Sequence, residues 1–138
     1  MQMTMGPTQL TYGTAIRTML PFEAAIARTK DELEAEGFGV LCEIDVAKTM
    51  KEKLGVEFPP YTILGACNPS LAKQGLTAEP RLGLLLPCNV VVRTGESGTE
   101  ISAIDAGAMM RIVGNGQLDP IAAEVSARLA RVLQRLAA

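Results

Sequence analysis

The sequence predicts a single α+β domain built on a largely antiparallel, five-stranded sheet with two long helices on one face. The chain has 138 residues, the length of one domain, and 48% of them are hydrophobic, which is enough for a core of its own. Short β-like runs alternate with two amphipathic segments. The expected order is strand, helix, four strands and helix, with short helical inserts. The domain is expected to span residues 1–138, with 1–9 as a mobile tail.

The chain begins with a strand followed by the first long helix. Side chains alternate in character over residues 10–18, as in a half-buried strand. Pro21 suits the first turn of a helix, and the apolar residues that follow share one face until Gly37 ends it. This helix is expected to pack on the sheet.

A second strand is predicted over residues 40–45 and is followed by a short helix. Cys42 alternates in phase with the apolar residues Val40 and Ile44, so it is expected in the core. Asp45 can cap the helix, and Gly55 can close it.

The third strand is predicted over residues 61–67 and leads into a helix start. Asn68 suits the N-cap, and Pro69 suits the first helical position. Gly75 and Pro80 then allow only one or two turns.

The fourth and fifth strands are predicted as an antiparallel hairpin. The segment 81–93 is β-rich in its second half, and Pro87 must lie at the start of the strand, at a bulge or on an edge. A turn at residues 96–98 leads into the fifth strand, 99–105.

The last helix has the strongest periodic signal in the chain. It opens at Asp119-Pro120, and apolar residues recur at spacings of three and four. Arg128, Arg131 and Arg135 fall on the other side, which favours a solvated face over an anion-binding surface.

Composition excludes several classes of function. Thirteen basic and fifteen acidic residues give a net charge of −2, and only five residues are aromatic, so nucleic acid is not expected as a partner. Histidine is absent, which excludes Ser-His-Asp and Cys-His catalytic sets and sites that need imidazole ligands. The sequence contains neither the G-x-G-x-x-G motif of dinucleotide-binding folds nor the G-x-x-x-x-G-K-[ST] phosphate-binding loop, so no cofactor is predicted.

The expected location is the cytoplasm. The N-terminus lacks the basic and apolar regions of a signal peptide, and the uncharged run over residues 82–92 is too short to span a membrane. Cys42, Cys67 and Cys88 are therefore expected to be reduced, and the fold should need neither a metal nor a disulfide.

A homodimer is expected, because several predicted strands are apolar on both faces. Val90, Val91 and Val92 are one such run. Two helices on one face leave the other uncovered, and a second copy of the chain is the simplest cover.

Several segments resemble a known family in both sequence and order. They are Phe38-Gly39-Val40-Leu41, Glu43-Ile44-Asp45-Val46, Leu54-Gly55-Val56, Ile63 to Pro69, and Leu84-Leu85-Leu86-Pro87-Cys88-Asn89-Val90. Together these segments resemble the bacterial and archaeal domain-of-unknown-function family 302 (DUF302), from about Thr11 onward. The resemblance implies a small α+β domain, dimeric, with no established activity.

The candidate site consists of Cys67, Asn68, Cys88 and Asn89. If the third and fourth strands are antiparallel neighbours, the end of one meets the start of the other, and two thiols and two carboxamides converge. Cys67 also precedes a helix start, where the helix dipole is expected to lower its pKa. A structural interpretation stands beside this one, because cysteine is often buried and Asn68 is explained as a cap.

Three functions remain open from the sequence. The first is a homodimeric binding or sensing domain whose Cys-Asn pocket holds a small molecule, a sulfur species or a soft metal such as Cu(I). The second is a redox or transfer enzyme with Cys67 as the reactive thiol and Cys88 resolving it. The third is a purely structural subunit, so enzymatic activity is left undecided.

Overall fold

The computed structural model describes residues 6–137, which form a six-stranded sheet, five α-helices and two 3₁₀ helices. The strands are β1 (Thr8–Gln9), β2 (Gly13–Thr18), β3 (Gly39–Asp45), β4 (Tyr61–Cys67), β5 (Cys88–Gly95) and β6 (Gly98–Ile104). The α-helices are α1 (Phe22–Ala35), α2 (Val46–Leu54), α3 (Pro69–Ala78), α4 (Ala106–Val113) and α5 (Asp119–Ala137). The 3₁₀ helices are Pro80–Leu85 and Gly116–Leu118.

The sheet is antiparallel throughout, with the strand order β1-β2-β6-β5-β4-β3. The predicted hairpin is β5–β6, and Gly95 pairs with Gly98 at its turn. The neighbours β4 and β5 are joined by a long insert that contains α3. The predicted α+β class and antiparallel sheet are therefore confirmed, but the sheet has six strands rather than five.

The additional strand lies within the segment that was expected to be a mobile tail. Thr8 pairs with Ala15 and Gln9 with Thr14, so this part of the segment belongs to the sheet. The remainder of that expectation, for residues 1–5, lies outside the described residues. A strand of two residues carries no periodic signal, which is why the sequence did not reveal it.

The two long helices, α1 and α5, cover one face of the sheet and form the main core with it. They contact each other, and their apolar residues pack against inward-facing residues of the strands. Phe38 is the largest side chain of this core, and Leu33, Leu64, Ile101 and Leu136 are among its fully buried members. We call this the inner face of the sheet and the opposite one the outer face.

Cys42 is exposed, so the prediction that it belongs to the core is wrong. The pairing of β3 with β4 shifts register between Val40 and Cys42, where one extra residue forms a β-bulge. One extra residue reverses the alternation of side chains along a strand. Val40 therefore packs against the core, while Cys42 pairs with Gly65 and lies on the outer face.

Helix α3 is longer than the one or two turns predicted from its glycine. Asn68 and Pro69 start it as expected, with the Asn68 Oδ1 accepting a hydrogen bond from the Leu71 backbone N–H at 3.2 Å. Gly75 lies inside the helix and is buried against Leu82, where a Cβ would lie 2.7 Å from a methyl carbon. The close approach of Leu82 thus explains a glycine in the helix interior.

Helix α4 was not predicted. It begins after Asp105, whose Oδ1 accepts a hydrogen bond from the Ala108 backbone N–H at 3.1 Å, and it ends at Gly114 with φ of 75°. The cap and the terminal glycine are the signals that mark it in the sequence. No helix within residues 6–137 has the combined length and apolar character needed to cross a membrane.

The arginine row of α5 remains partly exposed and also joins the two long helices. Arg131 makes a bidentate ion pair with Glu36, and Arg135 bonds Glu32 and Glu36. The Arg128 Nη1 donates to the Glu36 carbonyl oxygen at 2.9 Å, which satisfies an acceptor at the end of α1. The side chains of Arg128, Arg131 and Arg135 are 32%, 48% and 39% exposed, so the row is partly solvated as well as bonded to Glu32 or Glu36.

The Glu36 ion pairs predict a specific loss of stability in acid. Hydrogen bonding from Arg131, followed by that from Arg135, lowers the pKa of Glu36 from its ordinary value. A carboxyl with a lowered folded-state pKa stabilises the fold above its unfolded-state pKa, and this contribution disappears as the pH falls through the folded-state value. We expect Glu36→Gln to cost about 0.5–1 kcal/mol at pH 7, or about 3 °C in Tm, and less as the pH falls through the lowered folded-state pKa.

Thermal unfolding between pH 3 and pH 7 tests this expectation. Glu34→Gln is the matched control, because Glu34 is exposed on the same helix and its side chain makes no hydrogen bond or ion pair within the described residues. A Glu36→Gln deficit that is the same at pH 3 and pH 7 would contradict the assignment.

Candidate functional site

Cys67 and Cys88 lie at the same end of the sheet on neighbouring strands. Cys67 is the last residue of β4, and Cys88 is the first residue of β5. The register pairs Ala66 with Cys88, so Cys67 lies one residue beyond the position opposite Cys88, although 20 residues separate the two cysteines in sequence. Antiparallel pairing of these strands is what brings them together.

Both cysteines line one small cavity, which we call the cysteine cavity. It lies between the sheet end, α3 and α5, and its volume is about 30 Å³. The walls are mainly apolar and include Phe38, Leu71, Leu82, Ile121 and Val125. This volume is enough for a water molecule or a small ion and is far below the roughly 300–1,000 Å³ that is usual for small-molecule sites.

The two asparagines of the candidate site have different positions. Asn68 lines the cysteine cavity and is buried, but its Oδ1 is already bonded to the Leu71 backbone N–H as the cap of α3. Asn89 is exposed, pairs with Gly65 and lies outside the lining of the cavity. The structure therefore gathers Cys67, Asn68 and Cys88 and leaves Asn89 on the outer face.

Burial raises the pKa of both thiols. Loss of solvent raises the pKa of Cys67, and it raises the pKa of Cys88 to about 11, with the nearby Cys67 adding to the effect. This direction is opposite to the expectation that the N-terminus of α3 lowers the pKa of Cys67. At pH 7 a thiol with a pKa of about 11 is ionised in about one molecule in ten thousand.

Met110 is a further sulfur-bearing residue that lines the cavity. It belongs to α4, is 5% exposed and lines the cavity together with both cysteines. The residues that line the cavity thus include two cysteines and one methionine. Met110 was missed because its helix was missed, and the capping signals of Asp105 and Gly114 are what would have placed it.

No group of three or more histidine, cysteine, aspartate or glutamate residues within the described chain is arranged to hold a metal ion. The three cysteines are all free thiols. A donor set at this site therefore has to combine the thiols with the Met110 thioether.

Comparison with known proteins gives a family but no activity. The model of the family described as "Domain of unknown function DUF302" matches residues 14–136. The crystal structure of an uncharacterised conserved DUF302 protein from Bacillus stearothermophilus is similar, with a TM-score of 0.84 and 31% sequence identity. That match covers 90% of this chain and 97% of the other. No curated protein matches the chain.

The burial of the three thiols predicts an order of reactivity. Cys42 is exposed, whereas Cys67 and Cys88 are half-buried with raised pKa values. With 5,5′-dithiobis(2-nitrobenzoate) at pH 8, we expect one fast thiol and two slower ones, with the fast phase at least about tenfold faster. Cys42→Ser should remove the fast phase, and Cys67→Ser should leave it intact. A fast phase that survives in Cys42→Ser would contradict this order.

Proposed function

The chain belongs to the DUF302 family, and we propose that it is a homodimeric domain that binds a soft metal ion, of the Cu(I) type, at the cysteine cavity. The observation that carries the proposal is the sulfur-rich lining, in which Cys67, Cys88 and Met110 share one cavity of about 30 Å³. Thiolates and thioethers are the donors that select Cu(I) over harder ions.

The size of the cavity favours an ion over the other ligands considered from the sequence. A volume of about 30 Å³ accepts one metal ion and leaves no space for an organic ligand. Its apolar walls also offer no carboxylate or imidazole, so hard and borderline cations lack suitable partners.

Binding would exchange protons for the metal. Both thiols are protonated at pH 7, so Cu(I) would bind with release of two protons and form a bis-thiolate with one net negative charge. The Met110 thioether would complete a three-sulfur set without adding charge. Asn68 is the positioning residue, because its cap hydrogen bond fixes the start of α3 beside Cys67.

Titration with Cu(I) tests this proposal, using bathocuproine disulfonate as the competing chelator under anaerobic conditions. We expect one Cu(I) per chain, and an affinity loss on the order of 100-fold in Cys67→Ser and in Cys88→Ser. Met110→Leu should weaken binding by about tenfold, because it removes one sulfur and keeps the volume. Cys42→Ser is the control and should bind like the unaltered protein.

Circular dichroism on each variant separates lost binding from lost folding. If folded Cys67→Ser and Cys88→Ser both bind Cu(I) like the unaltered protein, the metal site is wrong. The cysteines would then have a structural role, which is the third function left open by the sequence.

The thiol-enzyme alternative receives less support. A reactive thiol needs a substantial thiolate fraction at neutral pH, and burial raises the pKa of Cys67. The proposed resolving residue, Cys88, is even less ionised. The binding domain is therefore the better proposal.

The homodimer part of the proposal rests on the outer face of the sheet. Ile44, Ile63 and Val91 pair across β3, β4 and β5 as an apolar row, in which Ile44 is 45% exposed and the other two are half-buried. Beside this row, Arg93 and Glu100 form a bidentate ion pair at 3.0 and 3.2 Å. A patch that carries an apolar row and both signs of charge is complementary to itself across a two-fold axis, so we assign a second copy as its partner.

Sedimentation velocity at micromolar concentration tests the dimer. The unaltered protein should sediment as a dimer, and Val91→Asp should be a monomer, because it places a charge in the middle of the apolar row. Ile112→Asp is the matched control, since Ile112 is 73% exposed on α4, away from the outer face. A monomeric unaltered protein, or dissociation by Ile112→Asp alone, would contradict the assigned surface.

A further inference from the structure

Aromatic side chains line a groove at the end of the sheet opposite the cysteine cavity. Phe22 at the start of α1, Phe58 after α2 and Tyr61 at the start of β4 are three of the five aromatic residues in the chain. The volume of the groove is about 410 Å³, within the range of about 300–1,000 Å³ that is usual for small-molecule sites. We call it the aromatic groove. It shares no lining residue with the cysteine cavity, so its role is independent of the proposed metal site.

Two of the rings lie side by side and remain accessible. Pro59 and Pro60 keep the chain extended between Phe58 and β4. The rings of Phe58 and Tyr61 pack edge to face, with their centroids 6.1 Å apart and their planes at 69°. This packing uses one ring face of the pair. Phe58 is 40% exposed, so a ligand in the groove can reach its ring.

The charges around the aromatic groove favour a cation. Four carboxylates and two ammonium groups line it, those of Glu23, Asp45, Glu52, Glu57, Lys48 and Lys51. The starts of α1 and α2 also lie there, and each helix N-terminus contributes about half a positive charge. These helix ends offset only about one of the two excess negative charges, so the groove keeps a negative charge. The faces of its aromatic rings are negative as well.

Two of the carboxylates are available to a ligand. Lys51 donates to the Glu57 Oε1 at 2.7 Å, so these two charges are matched within the protein. Glu23 and Glu52 are exposed, and their side chains make no hydrogen bond or ion pair within the described residues. Lys48 is the remaining positive side chain of the groove, and it should oppose the binding of a cation.

We propose that the aromatic groove binds a small organic cation of the quaternary ammonium class. The positive charge lies against the rings of Phe58 and Tyr61, and the carboxylates of Glu23 and Glu52 add an electrostatic attraction. An inorganic cation fits less well, because no three carboxylates of the described chain are arranged to hold a metal ion. A quaternary ammonium ion needs no such ligands, since ring faces bind it directly.

Choline and 3,3-dimethylbutan-1-ol are the matched probes for this proposal. They have the same shape, but the alcohol has a neutral carbon atom in place of the quaternary nitrogen. In an NMR titration of the ¹⁵N-labelled full chain, we expect choline to shift the backbone amide signals of Phe58 and Tyr61 saturably, with a Kd of about 0.1–5 mM. The neutral alcohol should bind at least about fivefold more weakly, because it lacks the attraction to the rings and carboxylates.

Substitutions in the groove should change the affinity for choline in opposite directions. Phe58→Leu should weaken binding about threefold to tenfold, because it removes a ring and keeps an apolar side chain. Glu52→Gln should weaken binding about twofold to threefold, whereas Lys48→Gln should strengthen it about twofold, because it removes an opposing charge.

Matched controls outside the groove should leave choline binding unchanged. Tyr12→Leu removes an aromatic ring that is 62% exposed elsewhere, and Glu34→Gln removes an exposed carboxylate of α1. Cys67→Ser and Val91→Asp should also bind choline normally, which separates this proposal from the metal site and from the dimer.

Four results would overturn the proposal. They are a choline titration that does not saturate, equal affinity for choline and the neutral alcohol, a loss in Tyr12→Leu as large as that in Phe58→Leu, and weaker choline binding in Lys48→Gln. The amide spectrum of each variant reports whether it is folded. If Phe58→Leu does not fold, the opposite effects of Glu52→Gln and Lys48→Gln decide, because both side chains are exposed on α2.

Discussion

The antiparallel pairing of β4 with β5 is the constraint on which the cysteine cavity depends. Leu64 pairs with Val90 in the middle of the two strands, and this register places Ala66 opposite Cys88 at their end. The chain between the strands must then return to the same end of the sheet, and it does so as α3 and a 3₁₀ helix. Leu82 of that 3₁₀ helix is 2% exposed and packs into the interior of α3 at Gly75. One register therefore sets the positions of both cysteines and brings the insert that closes their cavity.

Helix α5 links the sheet, the end of α1 and the cysteine cavity. Its apolar side completes the main core, and its arginines hold the end of α1 through Glu36. The same helix contributes Val125 to the cysteine cavity.

The sequence was sufficient wherever local chemistry and tertiary packing agreed. Periodicity and caps predicted α1, α2 and α5. The sequence also predicted that Cys67 and Cys88 meet if β4 and β5 are antiparallel neighbours, and the two strands do pair in this way. The predictions from sequence failed where a single residue changed the local structure. The bulge before Cys42 changed which side chains of β3 face the core. Gly75 lies inside α3 rather than at its end, and Leu82 packs closely against it there. Met110 was not identified as a site residue because α4 was not predicted. A helix of eight residues has too few turns for hydrophobic periodicity to reveal the helix.

The proposed metal site requires sulfur atoms from β4, β5 and α4 to bind a single ion. X-ray absorption at the copper K-edge of the Cu(I)-loaded protein measures this directly, because it reports the atoms bound to the metal. We expect the atoms bound to Cu(I) to be sulfur alone, with about three sulfur atoms in the unaltered protein and about two in Met110→Leu. A shell that contains nitrogen or oxygen ligands, or one that is unchanged in Cys88→Ser, would contradict it.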